Sequence, residues 1–329
     1  MNKVDLSMKD AINLALTEEM ERDGNVFIMG EDIGVYGGAF GVTAGLLDKF
    51  GEDGIVETPI SEGSLMGIAT GSALMGMRPV LEIMFMDFTT LIIDQVLNHA
   101  VKFRYMFGGR DDIRVPLVIR TPYGGGRAYG ASHSQSLEGL FLHIPGLKIL
   151  VPSTPADARG LLKSAIRDNN PVLFLESKLL YNKTGQVPKD DNLIPIGKAK
   201  VVIEGEDITL LSYGRTLDMC REAADYLENE GYKPEVIDLR SLNPLDKKAI
   251  TKSVEKTGRV VVVEEGTLTG GVGAELCSVI MENAFFSLES PPERVAAMDL
   301  PVPYSPVLEA EVLPGVGDIV EASLRSLSY

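Results

Sequence analysis

Short apolar runs, each followed by a stretch of helical spacing, recur along this chain and dictate its class of fold. NVFIMGED (25–32), IVETPIS (55–61), RPVLEIMF (78–85), VPLVIRT (115–121), LKILVPS (147–153) and PVLFLES (171–177) read as strands. DITLLSY (207–213), KPEVIDL (233–239), RVVVVEE (259–265) and RVAAMD (294–299) continue the series. Helical patterns fall between them at 8–21, 44–50, 62–76, 87–107, 154–168, 215–229, 245–256 and 273–284. Strands that alternate with helices join in parallel, so the chain is α/β with parallel sheets. The alternation breaks once, in KTGQVPKDDNLIPIGK (183–198), where periodicity is lost and Pro, Gly and Asp accumulate. Taking 184–198 as a linker leaves domains at 1–183 and 199–329. A length of 329 residues agrees with two domains of roughly 150.

Charge excludes one class of partner. The formal net charge is −16, and nucleic-acid binders present a basic face to the phosphate backbone. No uncharged stretch has the length and hydrophobicity of a membrane span. The N-terminal MNKVDLSMKDAINLALTEEM places Asp and Glu inside its apolar pattern, unlike a signal peptide. Cys220 and Cys277 form no CxxC and read as reduced core thiols of a cytoplasmic protein.

Three features carry chemical interest. In TPISEGSLMGIATGSALMG (58–76), Glu62 stands before an uncharged run of small and apolar residues. Ser61 reads as the N-cap of a helix there, and Glu62 suits the positive end of the helix dipole. A carboxyl beside close-packed apolar surface also has its charged form disfavoured, which suits a proton donor. Gly67 and Gly71 each weaken that helix by roughly 1 kcal/mol relative to Ala, and glycines four apart mark close approach by a neighbour. Second, Asp87 reads as the cap of the long helix 87–107, with Phe88 behind it. Third, of three histidines, His99 and His143 sit in regular pattern, while His133 ends the glycine-rich loop PYGGGRAYGASHSQ (122–135). Glu62, Phe88 and His133 all follow parallel strands, and the carboxyl ends of such strands are where ligands bind. The glycine clusters match neither GxGxxG nor GxxxxGK[ST], and there is no HExxH or GxSxG.

The segments ETPISEGSLMGIATGSALMGMRPVLEIMFMDF, DQVLNHAVKFRYMFGG, RTPYGGGRAYGASHSQSLEGLFLHIPGLKILVPSTPADARGLLKSAIRDNNPVLFLE and EKTGRVVVVEEGTLTGGVGAEL resemble the β subunit of the E1 component of 2-oxo acid dehydrogenase complexes. The resemblance extends from the first helix to PVPYSPVLE (301–309). It implies a thiamine diphosphate fold: a pyrimidine-binding, transketolase-like domain followed by a transketolase C-terminal-like domain. By that resemblance Glu62 matches the glutamate that hydrogen-bonds N1′ of the cofactor's aminopyrimidine, Phe88 the aromatic packed on that ring, and Ile60 and Met84 positions lining the same pocket. His133 matches the histidine acting on substrate or on the incoming lipoyl group. Leu117, Ala165, Ile166, Asp168 and Asn170 match positions whose oxygens, mostly backbone, hold a structural potassium ion.

Thiamine enzymes hold the diphosphate through Mg²⁺ using a GDG motif with a later Asn, and this sequence has GED and EDG without that pattern. The resemblance therefore implies an E1 α subunit supplying the diphosphate and Mg²⁺ half, as an α2β2 heterotetramer, and an E2 lipoyl acyltransferase core receiving the acyl group. Met84 and Phe88 resemble the pyruvate and acetoin types, where branched-chain types commonly show Gln and Tyr. Two alternatives stand beside this: a branched-chain 2-oxo acid β subunit, and an inert regulatory subunit of the same fold. Retention of Glu62, Phe88 and His133 counts against the second.

Overall fold

The computed structural model describes residues 3–110 and 113–329. Its internal contacts divide the chain into two units, Met1–Tyr123 with Phe141–Ile196, and Gly124–Leu140 with Gly197–Tyr329. The glycine-rich loop that interrupts the first unit in sequence thus belongs to the second.

In the first unit, β1 (Lys3–Ser7) leads into the helix Met8–Arg22, which Ser7 caps by accepting from the Asp10 N–H at 3.2 Å. The sheet strands come next: β2 (Val26–Gly30), β3 (Ile55–Glu57), β4 (Arg78–Glu82), β5 (Val118–Tyr123), β6 (Lys148–Leu150) and β7 (Val172–Ser177). They run parallel in the order β6-β7-β5-β4-β2-β3. Every residue of β5 and β7 is buried, as helices on both faces require. The helix Pro155–Arg167 packs on Met8–Arg22, and Thr154 caps it through the Asp157 N–H. Ile12, Leu16, Ile28, Val80, Leu161 and Phe174 make the core beneath, each such side chain contributing roughly 1.5–3 kcal/mol by leaving water. Thr184–Pro188 (β8) pairs antiparallel with β1, so the first part of the expected linker is a strand.

Two local expectations differ from the structure. The helix near 44–50 is Leu46–Gly54, broken at Gly51, whose φ of 70° a glycine tolerates. The long helix 87–107 is three pieces: a 3₁₀ turn Met86–Ile92, a π turn Gln95–Ala100 and a short α-helix Phe103–Met106. The hydroxyls of Thr89 and Thr90 donate to the carbonyls of Met86 and Asp87, three residues back, which favours the tighter winding. Asp87 therefore lies inside that turn, with Phe85 at the cap position.

The second unit has β9 (Lys200–Ile203), β10 (Ile208–Ser212), β11 (Pro234–Asp238), the short β12 (Ser241–Asn243), β13 (Val260–Thr267) and β14 (Glu293–Ala297). Its sheet order is β14-β13-β10-β11-β9, parallel except for β9. Leu210, Leu217, Val236, Val261 and Ile319 form its core around the helices Thr216–Asn229 and Val316–Leu327. Cys220 lies in that core as a free thiol, pushed up to about 12 by burial. No helix among the described residues is long and apolar enough to cross a membrane.

Candidate functional site

Parallel strands deliver their carboxyl ends to one edge of a sheet, and in the first unit that edge gathers acids. Glu62 opens the helix Glu62–Leu74 and is 8% exposed. Ser61 precedes it without capping: its hydroxyl donates to the Pro59 carbonyl, and its N–H serves the carboxylate of Glu31. Glu31 comes directly after β2 and is equally buried, and its Oε1 has no hydrogen-bond partner. Burial first, and then the negative charge of Glu62, hold the Glu31 carboxyl above the usual range. Glu31 does not stand out in the sequence, because GED there reads only as an acidic turn. The strand-end argument that singles out Glu62 applies to it equally.

Phe88 and Met84 are half-buried, and Ile60 is 79% exposed. The 3₁₀ turn bearing Phe88 packs on the Glu62 helix, so these two candidates sit on adjoining elements. Phe88 meets Phe85 edge to face at 6.1 Å, Phe85 meets Phe40 at 5.9 Å, and Phe40 stacks on Tyr181 at 5.0 Å. Lys178 Nζ lies 5.3 Å from the centre of the Phe85 ring. The aromatic chain ends on a buried polar group. Tyr181 donates to Glu176, and Arg120 donates to Glu176 through Nε and Nη2 at 2.7 and 2.9 Å and to Glu82 at 2.7 Å. Burial alone would lower the Arg120 pKa, but the two carboxylates raise it further than burial lowers it, so it stays charged.

The oxygens assigned to potassium gather around the C-terminal end of the helix Pro155–Arg167, where carbonyls lack intrahelical partners. Ala165 O accepts from Asp168 N, and Leu117 O from Val172 N. Arg78 Nη1 donates to the carbonyls of Ile166 and Asp168 at 2.8 and 3.0 Å. The Asp168 side chain faces Lys148 and accepts from the Asn170 N–H, and despite burial its pKa is lowered by these partners. The Arg78 guanidinium thus holds two of these carbonyls, and a monovalent cation would have to use their second lone pairs beside that positive charge.

His133 belongs to the second unit. It is half-buried, with Nδ1 2.9 Å from the Ser132 hydroxyl. At the end of its loop Glu138 accepts from the Tyr213 hydroxyl at 2.8 Å. Glu264 accepts from the N–H groups of Val272 and Gly273 at the start of the helix Val272–Ala284, and Glu265 pairs with Arg215. Burial pushes Glu138 and Glu264 each up to about 7. A cleft of about 530 Å³ opens beside this cluster, lined by Ser136, Leu137, Glu265, Thr267, Val302 and Leu313 among others. None of these acids stands out in the sequence, where RVVVVEE reads only as a strand end.

Comparison with known proteins finds two families in succession, the first of which runs through Gly124–Leu140, the loop that internal contacts assign to the second unit. The family described as "Transketolase, pyrimidine binding domain" matches residues 4–184, and "Transketolase, C-terminal domain" matches 197–319. The chain is 46% identical over 325 residues to the 2-oxoisovalerate dehydrogenase subunit beta of Bacillus subtilis (strain 168), covering 98% of each chain. It is 45% identical to the mitochondrial pyruvate dehydrogenase E1 component subunit beta-2 of Oryza sativa subsp. japonica, covering 98% of this chain and 86% of that one. It is also 45% identical to the acetoin:2,6-dichlorophenolindophenol oxidoreductase subunit beta of Bacillus subtilis (strain 168), covering 98% and 97%. A solved structure described as "Split gene transketolase, inactive beta4 tetramer" matches with a TM-score of 0.82 at 24% identity, covering 98% of this chain and 99% of that one. That match speaks for the fold alone.

Proposed function

We infer, because this chain belongs to the family of E1 β subunits of 2-oxo acid and acetoin dehydrogenases, that it contributes the pyrimidine half of a thiamine diphosphate site. In this reading residues 1–183 form the pyrimidine-binding domain and 199–329 the C-terminal domain, joined by 184–198. The cofactor, when bound, supplies a nucleophilic carbon for attack on the substrate carbonyl. Glu62 would hold N1′ of the aminopyrimidine through a shared proton, Phe88 would pack on that ring, and Met84 and Ile60 would line its pocket.

One observation carries the reading. Two buried carboxylates, Glu62 and Glu31, adjoin each other, and Glu31 Oε1 has no hydrogen-bond partner. Such a pair asks for a proton-bearing polar group against it. An aminopyrimidine offers one.

The diphosphate and its Mg²⁺ are held by an α subunit, in an α2β2 assembly. The outer face of the Glu62 helix supports this, since Ile68 and Met75 are 57% and 85% exposed and nothing crowds Gly71. The expected close neighbour of that glycine is thus the partner. His133 serves transfer of the acyl group to the lipoyl domain of an E2 core, and potassium braces the Asp168 turn. Met84 and Phe88 favour pyruvate or acetoin as the source of the acyl group. A branched-chain 2-oxo acid is the second reading: the 2-oxoisovalerate relative is 46% identical, between the 45% and 49% of two pyruvate-type relatives. We place the protein in the cytoplasm, in keeping with its two free thiols.

Co-expression with a candidate α subunit, followed by 2-oxo acid- or acetoin-dependent dye reduction with thiamine diphosphate and Mg²⁺, tests this. The pair turns over and the purified chain alone does not. Turnover by the chain alone would overturn the half-site reading.

A further inference from the structure

The stretch PVPYSPVLE (301–309) belongs to the family resemblance without a role of its own. The structure gives it one. Within the second unit, the N–H groups of Gly126 and Ala128 both donate to the Glu309 carboxylate, to Oε1 and Oε2 respectively, at 2.8 Å each. Glu309 is 3% exposed and sits in the helix Pro306–Val312. The Tyr304 ring lies against Gly130, so closely that a Cβ there would stand 2.3 Å from Cζ, and Gly130 has a φ of +73°. Leu313 closes on Gly125 in the same way, and the Gly125 N–H donates to Glu265 at 2.5 Å. The carbonyl of Gly130 then accepts from the N–H of His133 at 3.3 Å. The glycines of this loop are therefore a seat for Tyr304, Glu309 and Leu313, and a carboxylate in a concavity of backbone amides is a strong, directional anchor.

We propose that Glu309 is a positioning residue: by fixing Gly126 and Ala128 it sets the path of the loop that presents His133, with Tyr304 as the second point of support. The catalytic consequence rests on the reading of His133 as the group serving acyl transfer. A neutral acceptor cannot replace Glu309, because an amide offers one oxygen and turns its NH₂ toward the other backbone donor.

Amide exchange on the full chain tests the anchor without reference to activity. Glu309→Gln speeds exchange across 124–133 by roughly tenfold or more while β10 and β13 keep their protection, and Glu309→Asp recovers part of the loss. Loop exchange equal to that of the unaltered chain overturns the proposal. Should Glu309→Gln unfold the second unit, Glu309→Asp decides: it keeps the charge but draws it back by one methylene from the Gly126 and Ala128 N–H groups, and unchanged loop exchange in that variant overturns the proposal. In the heteromer with its α subunit, a double-mutant cycle on transfer to a lipoyl acceptor reads the second step. Glu309→Gln costs about tenfold with His133 present and under about twofold in a His133→Ala background. Equal losses in both backgrounds overturn action through His133. Full transfer by His133→Ala sinks the reading of His133 itself, and the exchange result still decides whether Glu309 holds the loop.

Discussion

Each unit sets an arginine and a tyrosine among buried carboxylates near the ends of its strands, yet the two sets are held by different forces. In the first unit Arg120 reaches both Glu82 and Glu176, and Tyr181 closes the group. In the second, Arg215 reaches Glu265 alone and leaves Nη2 without a hydrogen-bond partner, while Glu138 and Glu264 rely on the Tyr213 hydroxyl and two backbone amides. Where the guanidinium extends to two acids, its fixed charge does most of the work. Where it does not, a proton does. Glu82, which receives a single guanidinium nitrogen, marks the limit of the first case, since burial still leaves its pKa raised.

The comparison breaks most visibly at Arg120. Arg120→Met leaves two buried carboxylates without their cation and destabilises the protein by about 3–5 kcal/mol, read from chemical denaturation. A loss under about 1 kcal/mol would mean that the guanidinium is not what holds Glu82 and Glu176. The second unit responds instead to pH. Glu138 and Glu264 ionise near 7 when folded against an ordinary 4.5, so the folded form binds their protons more tightly. Their contribution is fully present below about pH 4.5 and is lost as pH rises through 7, on the order of 3 kcal/mol for each fully buried acid. The groups that tune it are Tyr213, Glu265 and Arg294. Denaturation midpoints between pH 5 and pH 8 measure the slope, and Glu138→Gln flattens it. A slope unaffected by that change would move the proton elsewhere.

A smaller effect separates stability from function at the carboxylate pair of the first unit. Glu62→Gln removes the like charge beside Glu31 and raises stability at pH 7 by roughly 1 kcal/mol, while activity with the α subunit falls about 100-fold or more. A variant that is both less stable and fully active would return Glu62 to the role of a helix-end carboxylate.

Much of this is legible in the chain. PVLFLES and RVVVVEE are strands because runs of branched apolar residues suit a sheet covered on both faces, and Thr154 caps its helix as its position ahead of Pro155 predicts. The illegible part depends on contacts distant in sequence. Nothing local assigns Gly124–Leu140 to the second unit, because its partners Glu265 and Glu309 lie more than a hundred residues away. The segment 87–107 misleads for the opposite reason: over one or two turns the apolar spacing of 3₁₀, α and π windings is too similar to separate, and the threonine hydroxyls that tighten it leave no mark on the pattern.

The π turn at Gln95–Ala100 has a geometric consequence for the residues on its C-terminal side. Such a turn accommodates one residue more than an α turn, so the side chains beyond it are rotated by roughly 100° about the axis from where an unbroken helix would aim them. Tyr105, Met106 and Phe107, exposed by 86%, 66% and 53%, stand on the far side of that phase slip. Removing one residue from the turn would bring the spiral back into step and swing this hydrophobic triplet to a new bearing, so the single surplus residue acts as the rudder of the segment.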